Sequence, residues 1–312
     1  MAAVAAIAAL APAGASAKQR QDGPYAVGER SYTFVDKSRP TDPNGSYPGA
    51  PSRTLPTLLL YPAKGAPNGP SVPNARPART QRAFPLIVFS HGFTATGPVY
   101  RPLLERYARE GYVVAAPTFP LSSGGAPGGS KLGDYVNQPA DVSYVIDRVL
   151  RLRRNHRALR QIISRYRIGA AGHSLGAITT FGVATNSCCL DRRIDAAVPF
   201  SGILLPFPNG TFFSEPTPPL MLVHGDEDGT VPYVFSVNAY KQAPAPKAFM
   251  TLLGAPHTPF LAPWLDPTVR ATTDFLDGFL KGDIKALKRL SKDGNVPGVA
   301  SLQQDLSPRG KK

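Results

Sequence analysis

The stretch "RIGAAGHSLGAITTF", residues 167 to 181, decides how the whole chain is read. An apolar run passes through Gly172, His173 and Ser174 and turns apolar again after Gly176. Where a strand meets a helix at a sharp turn, the two backbones approach each other, so positions two residues either side of the apex must be small. Gly172 and Gly176 stand at those positions, and a serine at such an apex projects its hydroxyl outward. With 29 glycines among 312 residues, a G-x-S-x-G match arises by chance on the order of 0.2 times, so its weight depends on context. The alternative is a plain glycine-rich turn in a parallel sheet.

Working outward, the segments 25–36, 53–63, 84–93 and 112–120 read as strands. The run "FPLIVFSHGF" (84–93) is continuously apolar without helical period, as suits a strand buried on both faces. Leu103, Leu104, Tyr107 and Ala108 form one helical face, with Gly111 as its stop. A Gly/Ser-rich loop runs from 121 to 137, and the helix after it carries Val142, Val145, Ile146 and Val149 on one side. Strands follow at 194–202, 218–228 and 247–257, and a helix around Phe275, Leu276, Phe279 and Leu280 closes the pattern. This alternation predicts one α/β domain over 25–290, with a mostly parallel central sheet covered by helices on both faces. Only a short loop fits between the strand ending near Gly202 and that starting near Pro218, which excludes a large cap domain. Residues 291–312, rich in Lys, Gly, Asn and Gln, read as a flexible tail.

Residues 1–17, "MAAVAAIAALAPAGASA", are apolar and end in the small-x-small pattern of a signal peptide, although no Lys or Arg follows Met1. They are too short to span a bilayer, and no other segment qualifies. Export is the expectation, with 18–24 as a polar linker. The formal charge of +14 owes much to eight arginines between Arg148 and Arg167. Nucleic-acid binding would want interleaved aromatics, and only Tyr166 is near, so a solvated basic face is expected and no nucleic-acid partner. Cys188 and Cys189 are adjacent, which excludes a disulfide framework and a four-cysteine metal site; a vicinal disulfide of structural effect remains open.

Ligands of such sheets bind at the carboxyl ends of the strands, and the chemistry-bearing residues lie there. A serine hydroxyl needs a base to take its proton and a carboxylate to hold that base. Of the five histidines, only His224 and His257 follow Ser174. His224 comes directly after an apolar strand and ahead of any acid loop, which leaves His257, in "GAPHTPF", as the base. The acid is sought in "VHGDEDGTVP": Asp226, Glu227 and Asp228 are all present, and Asp228 is favoured because the turn after it aims its carboxylate toward His257 Nδ1. Asp195 lies at the wrong end of its strand. The backbone N–H of Leu175, at a helix N-terminus, and that of Phe93, in "SHGFTA", are the candidate oxyanion donors. His91 and His173 are expected to shape the loop and the elbow.

Together, "SHGF", "GHSLG", "HGDEDGTVP" and "GAPH" in this order resemble the α/β-hydrolase family. The runs "RTLPTLLLYPA", "FPLIVFSHGF" and "DYVNQPADVSYVIDRVL" are similar to bacterial relatives of platelet-activating-factor acetylhydrolase and chlorophyllase, and "GFTA" and "GHSLG" resemble cutinase-like polyester hydrolases. The resemblance implies a serine carboxylesterase acting through an acyl-enzyme, without cofactor or metal, as a monomer. Serine rather than cysteine at 174 disfavours dienelactone hydrolysis. Ile203, Leu204, Phe207, Phe212, Phe260, Leu261 and Trp264 stand equally as acyl-site lining or as core. An acyltransferase or peptidase on the same fold, or a silent binding protein, are the other readings.

Overall fold

The computed structural model describes residues 23–308; the signal-like 1–17, the linker up to 22 and residues 309–312 lie outside the described residues. The apolar runs of the described residues become the strands of one ten-stranded sheet. In chain order the elements are β1 Ala26–Asp36, β2 Arg53–Ala63, β3 Val72–Pro73, β4 Phe84–Ser90, α1 Arg101–Arg109, β5 Val113–Pro117, α2 Gln138–Asn155 and β6 Ile163–His173. They continue with α3 Leu175–Thr185, β7 Ile194–Phe200, β8 Leu220–Gly225, α4 Val234–Gln242, β9 Lys247–Leu252, α5 Leu265–Leu276, α6 Ile284–Gly294 and β10 Ala300–Asp305.

Across the sheet the strands run β10-β9-β8-β7-β6-β4-β5-β2-β1-β3. The six from β9 to β5 are parallel, β2 and β10 join their two edges antiparallel, and β1 pairs antiparallel with β2. Side chains alternate through the sheet. Leu86 and Val88 of β4 join the core beneath α2, α3 and α4, whereas Ile87 and Phe89 join the core beneath α1, α5 and α6. Burial on both faces is why these strands read as unbroken apolar runs rather than alternating ones.

The C-terminal expectation is corrected. Residues 284–294 are a helix whose Asp283 side chain accepts from the N–H groups of Lys285 and Ala286, a side-chain N-cap, and which buries Ala286 and Leu290. Residues 300–305 are the edge strand, paired residue by residue with β9 from Ala300 opposite Leu252 to Asp305 opposite Lys247. An edge strand hydrogen-bonds through its backbone and needs few apolar side chains, so "ASLQQD" carries little compositional signal.

The segment 201–219 holds no helix or strand and packs down on the end of α3, with the Phe213 N–H donating to Thr185 O and the Ser187 N–H to Thr211 O. Among the described residues, nothing of cap size is inserted between β7 and β8. Cys188 and Cys189 are bonded to each other just after α3. Among the described residues no helix is long and apolar enough to cross a membrane.

Candidate active site

Ser174 sits at the apex between β6 and α3 with φ 57° and ψ −117°, a conformation that side chains rarely adopt. The cost is sustained because the turn is gripped on both sides. The Ser174 N–H donates to Phe200 O of β7, and Ser174 O accepts from Ala177 and Ile178 N–H in the first turn of α3. Both flanking glycines are required by space: a Cβ on Gly172 would stand 2.3 Å from Gly176 O, and one on Gly176 would stand 2.0 Å from Ser90 O.

His257 and Asp228 meet this serine. His257 Nε2 lies 2.9 Å from Ser174 Oγ, and His257 Nδ1 lies 2.7 Å from Asp228 Oδ2. An ionised carboxylate can only accept, so Nδ1 carries the proton and Nε2 presents its lone pair to the serine hydroxyl. Of the three neighbouring acids, Asp226 and Glu227 are exposed and Asp228 is buried. Asp226 Oδ1 instead accepts from the Gly254 N–H at 2.7 Å. Burial alone would push the Asp228 carboxyl up; hydrogen bonds from His257 and from the Val231 and Thr230 N–H groups outweigh it and hold the pKa below the ordinary carboxylate value.

Two of the remaining histidines are fixed as neutral rings. His91 Nδ1 donates to Gly92 O at 2.8 Å while Nε2 accepts from the Phe119 N–H at 3.0 Å, and burial pushes its pKa down to about 4. His173 Nε2 donates to His257 O at 2.7 Å, and its Nδ1 lies 2.9 Å from Tyr100 Oη. Because Tyr100 Oη already accepts from the Gly92 N–H at 2.9 Å, its own proton points to His173 Nδ1. Burial pushes His173 down to about 3. A line of hydrogen bonds thus runs from the loop after β4 through Tyr100 and His173 to the backbone of His257.

Among the described residues neither the Phe93 N–H nor the Leu175 N–H has an acceptor. Leu175 follows Ser174 at the N-terminus of α3, and Phe93 lines the same cleft as Ser174. That cleft, about 330 Å³, is bounded by Phe93, Ala95, Val99, Tyr100, Pro102, Thr258, Phe260 and Leu261 beside the serine and the two histidines, and none of its lining residues is charged.

Of the seven apolar residues weighed from sequence, Phe260 and Leu261 line this cleft and the other five do not. Phe207 is buried against Leu175 and Ile178 with Ile203 beside it. Leu204 packs on the core under α2 and α3, and Trp264 packs on the opposite core with its indole N–H donating to Leu253 O at 2.9 Å. Ile203, Leu204, Phe207 and Phe212 are packing residues because the 201–219 segment folds down on α3 rather than over the serine. Sequence reasoning overlooked Val99, Tyr100 and Pro102, which reach the cleft from the turn before α1 and from its first residues, a segment with no signal beyond its helical period.

Comparison with known proteins bears on the fold and on the segment around the elbow. The chlorophyllase family model matches residues 68–205, a stretch that contains the elbow but ends before Asp228 and His257. The solved structure of a ferulic acid esterase from Streptomyces cinnamoneus superposes with a TM-score of 0.62 at 23% identity, covering 83% of this chain and 91% of that one. No curated protein matches the chain.

Proposed function

We propose that the chain is an α/β-hydrolase that hydrolyses carboxylic esters through an acyl-enzyme on Ser174, with His257 as general base and Asp228 as its partner. The observation that carries the reading is the run Asp228 Oδ2, His257 Nδ1, His257 Nε2, Ser174 Oγ, at 2.7 and 2.9 Å, beside two backbone N–H groups that have no acceptor among the described residues.

In the first half-reaction Ser174 Oγ bonds to the ester carbonyl carbon and its proton passes to His257 Nε2. The oxyanion so formed is stabilised by the N–H groups of Leu175 and Phe93. His257 returns the proton to the departing alkoxide as the C–O bond breaks, and the alcohol leaves. Water then attacks the acyl-serine, giving its proton to His257, and collapse releases the carboxylic acid and restores Ser174.

The cleft fits a neutral, apolar or aryl acyl group, since no charged residue lines it. The ferulic acid esterase that shares the fold is, by its name, an enzyme for esters of an aryl acid. A polymeric ester is the second reading, favoured by the rim: Phe93, Val99 and Leu261 are 38%, 64% and 67% exposed at the cleft mouth. The signal-like residues 1–17 extend the proposal to an exported enzyme.

The test is hydrolysis of p-nitrophenyl esters from acetate to palmitate, methyl ferulate and a polyester film. Ser174→Ala is expected to lose at least about a hundredfold in kcat, as does Asp228→Asn, with Asp226→Asn close to wild type. Retained activity in Ser174→Ala would overturn the mechanism, and a severe loss confined to Asp226→Asn would overturn the acid assignment.

A further inference from the structure

The acid of the proposed triad is held by two imidazoles. His224, the next-to-last residue of β8, is fully buried, and its Nε2 lies 3.0 Å from Asp228 Oδ2 and 3.0 Å from Val231 O. Both of those atoms are acceptors, so Nε2 carries a proton shared between them. On the far side of the ring Nδ1 lies 2.6 Å from Ser236 Oγ of α4, the shortest contact the ring makes. Ser236 Oγ also approaches Gly202 O at 3.1 Å. With burial lowering the pKa of His224, the ring is neutral and the serine proton belongs to Nδ1.

Counted from the acid, every lone-pair direction is taken. Oδ2 receives His257 Nδ1–H and His224 Nε2–H, and Oδ1 receives the N–H groups of Thr230 and Val231 at 2.8 Å each. The two backbone donors come from the turn that follows Asp228, and His224 holds that same turn through Val231 O. Without the ring, the carboxylate keeps only donors on its own turn and on its catalytic partner.

We propose that His224 is a positioning residue of the reaction: its Nε2–H fixes the Asp228 carboxylate, and with it the tautomer and aim of His257, while Ser236 fixes the ring. The inference rests on the esterase reading above. It assigns His224 no contact with substrate and no transfer of a proton during turnover. Its effect lies in kcat, because misaiming the acid weakens the base at the transition state and leaves the cleft that binds the ester unchanged.

The experiment compares full-length wild type, Ser174→Ala, His224→Phe, His224→Asn and His224→Gln on p-nitrophenyl butyrate. His224→Phe keeps the ring volume and removes both polar atoms. It should lower kcat by about 10- to 100-fold, the range typical of residues that orient a catalytic group from behind, with KM within about twofold. Glutamine places an N–H donor near the position of Nε2 and should recover kcat to within about threefold, while asparagine, one methylene shorter, should resemble His224→Phe. If His224→Phe does not fold, the glutamine and asparagine variants decide. Wild-type kcat in the Phe or Asn variant with Ser174→Ala inactive would overturn the role of His224 and leave the esterase reading standing. A glutamine variant no better than asparagine would also overturn it. Activity in Ser174→Ala would overturn both.

Discussion

Tyr100 carries more of the site than its place in the sequence foretells. Its hydroxyl stands between the Gly92 N–H and His173 Nδ1, each at 2.9 Å, and burial raises its pKa to about 12, so it remains a neutral donor at any working pH. Through it the loop bearing the Phe93 N–H is tied to the ring that holds the His257 backbone. Tyr100→Phe removes one oxygen, keeps the ring, and leaves a buried N–H and a buried ring nitrogen without partners. A buried unsatisfied polar group costs about 1–3 kcal/mol, and urea unfolding should register a loss of that order. Activity should fall with it, because both ends of the link border Ser174. A variant of unchanged stability and unchanged kcat would show the link to be idle. No periodicity marks Tyr100 as functional: it lies where a helix begins, and only the fold brings it to His173, 73 residues away.

Among the elements, the segment between β5 and α2 illustrates how a glycine-rich loop is made rigid by charge. Arg53, 1% exposed, donates from Nη2 to Asp134 of that loop at 2.9 Å and to Asp141 of α2 at 2.6 Å. Arg39 bridges Asp36 and Asp141 behind it. The loop so anchored supplies Ser122 O, which accepts from the Thr94 N–H, one residue from Phe93. Arg53→Met would leave two carboxylates buried without the cation they share, and breaking a buried pair costs about 3–5 kcal/mol. Chemical denaturation measures this, and adding Asp134→Asn and Asp141→Asn should restore most of the loss; no restoration would mean the packing of Arg53, not its charge, is what matters. This network was illegible in sequence because its members are 81 and 88 residues apart and look like ordinary surface charges. The parallel strands were legible, since burial on both faces forces apolar runs such as "FPLIVFS". So was the elbow, since only glycines fit beside Ser90 O and Gly176 O. The order of strand-end residues could narrow the proposed base to His257, but it discarded His224 for preceding the proposed acid. Position along the chain says which residue follows which; it cannot say that a ring four residues upstream points back at the same carboxylate. The edge strand β10 failed for a related reason, its pairing being a property of the backbone.

For the molecule as a whole, the neutral buried histidines set a limit on the acid side. The ordinary histidine value is 6.5, and in the fold His91 is pushed down to about 4 and His173 to about 3, in both cases chiefly by burial. His224 is lowered in the same sense. A group whose folded pKa is depressed binds its proton less tightly than the unfolded chain does. Its contribution to stability is therefore complete above the unfolded value and is lost as pH falls toward the folded one. Each such histidine tilts the balance by about 1.4 kcal/mol per pH unit below 6.5, so His91 and His173 together give about 3 kcal/mol per unit until pH approaches 4. The carboxyls of Asp36, Asp191 and Asp228, all lowered from 3.8, act in the same direction at still lower pH, as they too protonate on unfolding. Against a total stability of about 5–15 kcal/mol this is a large share, lost in mild acid. Free energies of unfolding from urea titrations between pH 8 and 4.5 should be level near pH 8 and fall steeply below 6.5. His173→Gln lowers the whole curve by breaking the link to Tyr100, yet it should also flatten the acid slope by about 1.4 kcal/mol per unit, because one titrating group has gone. Slope and level are independent readings, and a variant that shifts the level while keeping the wild-type slope would show that His173 does not fold as a neutral ring.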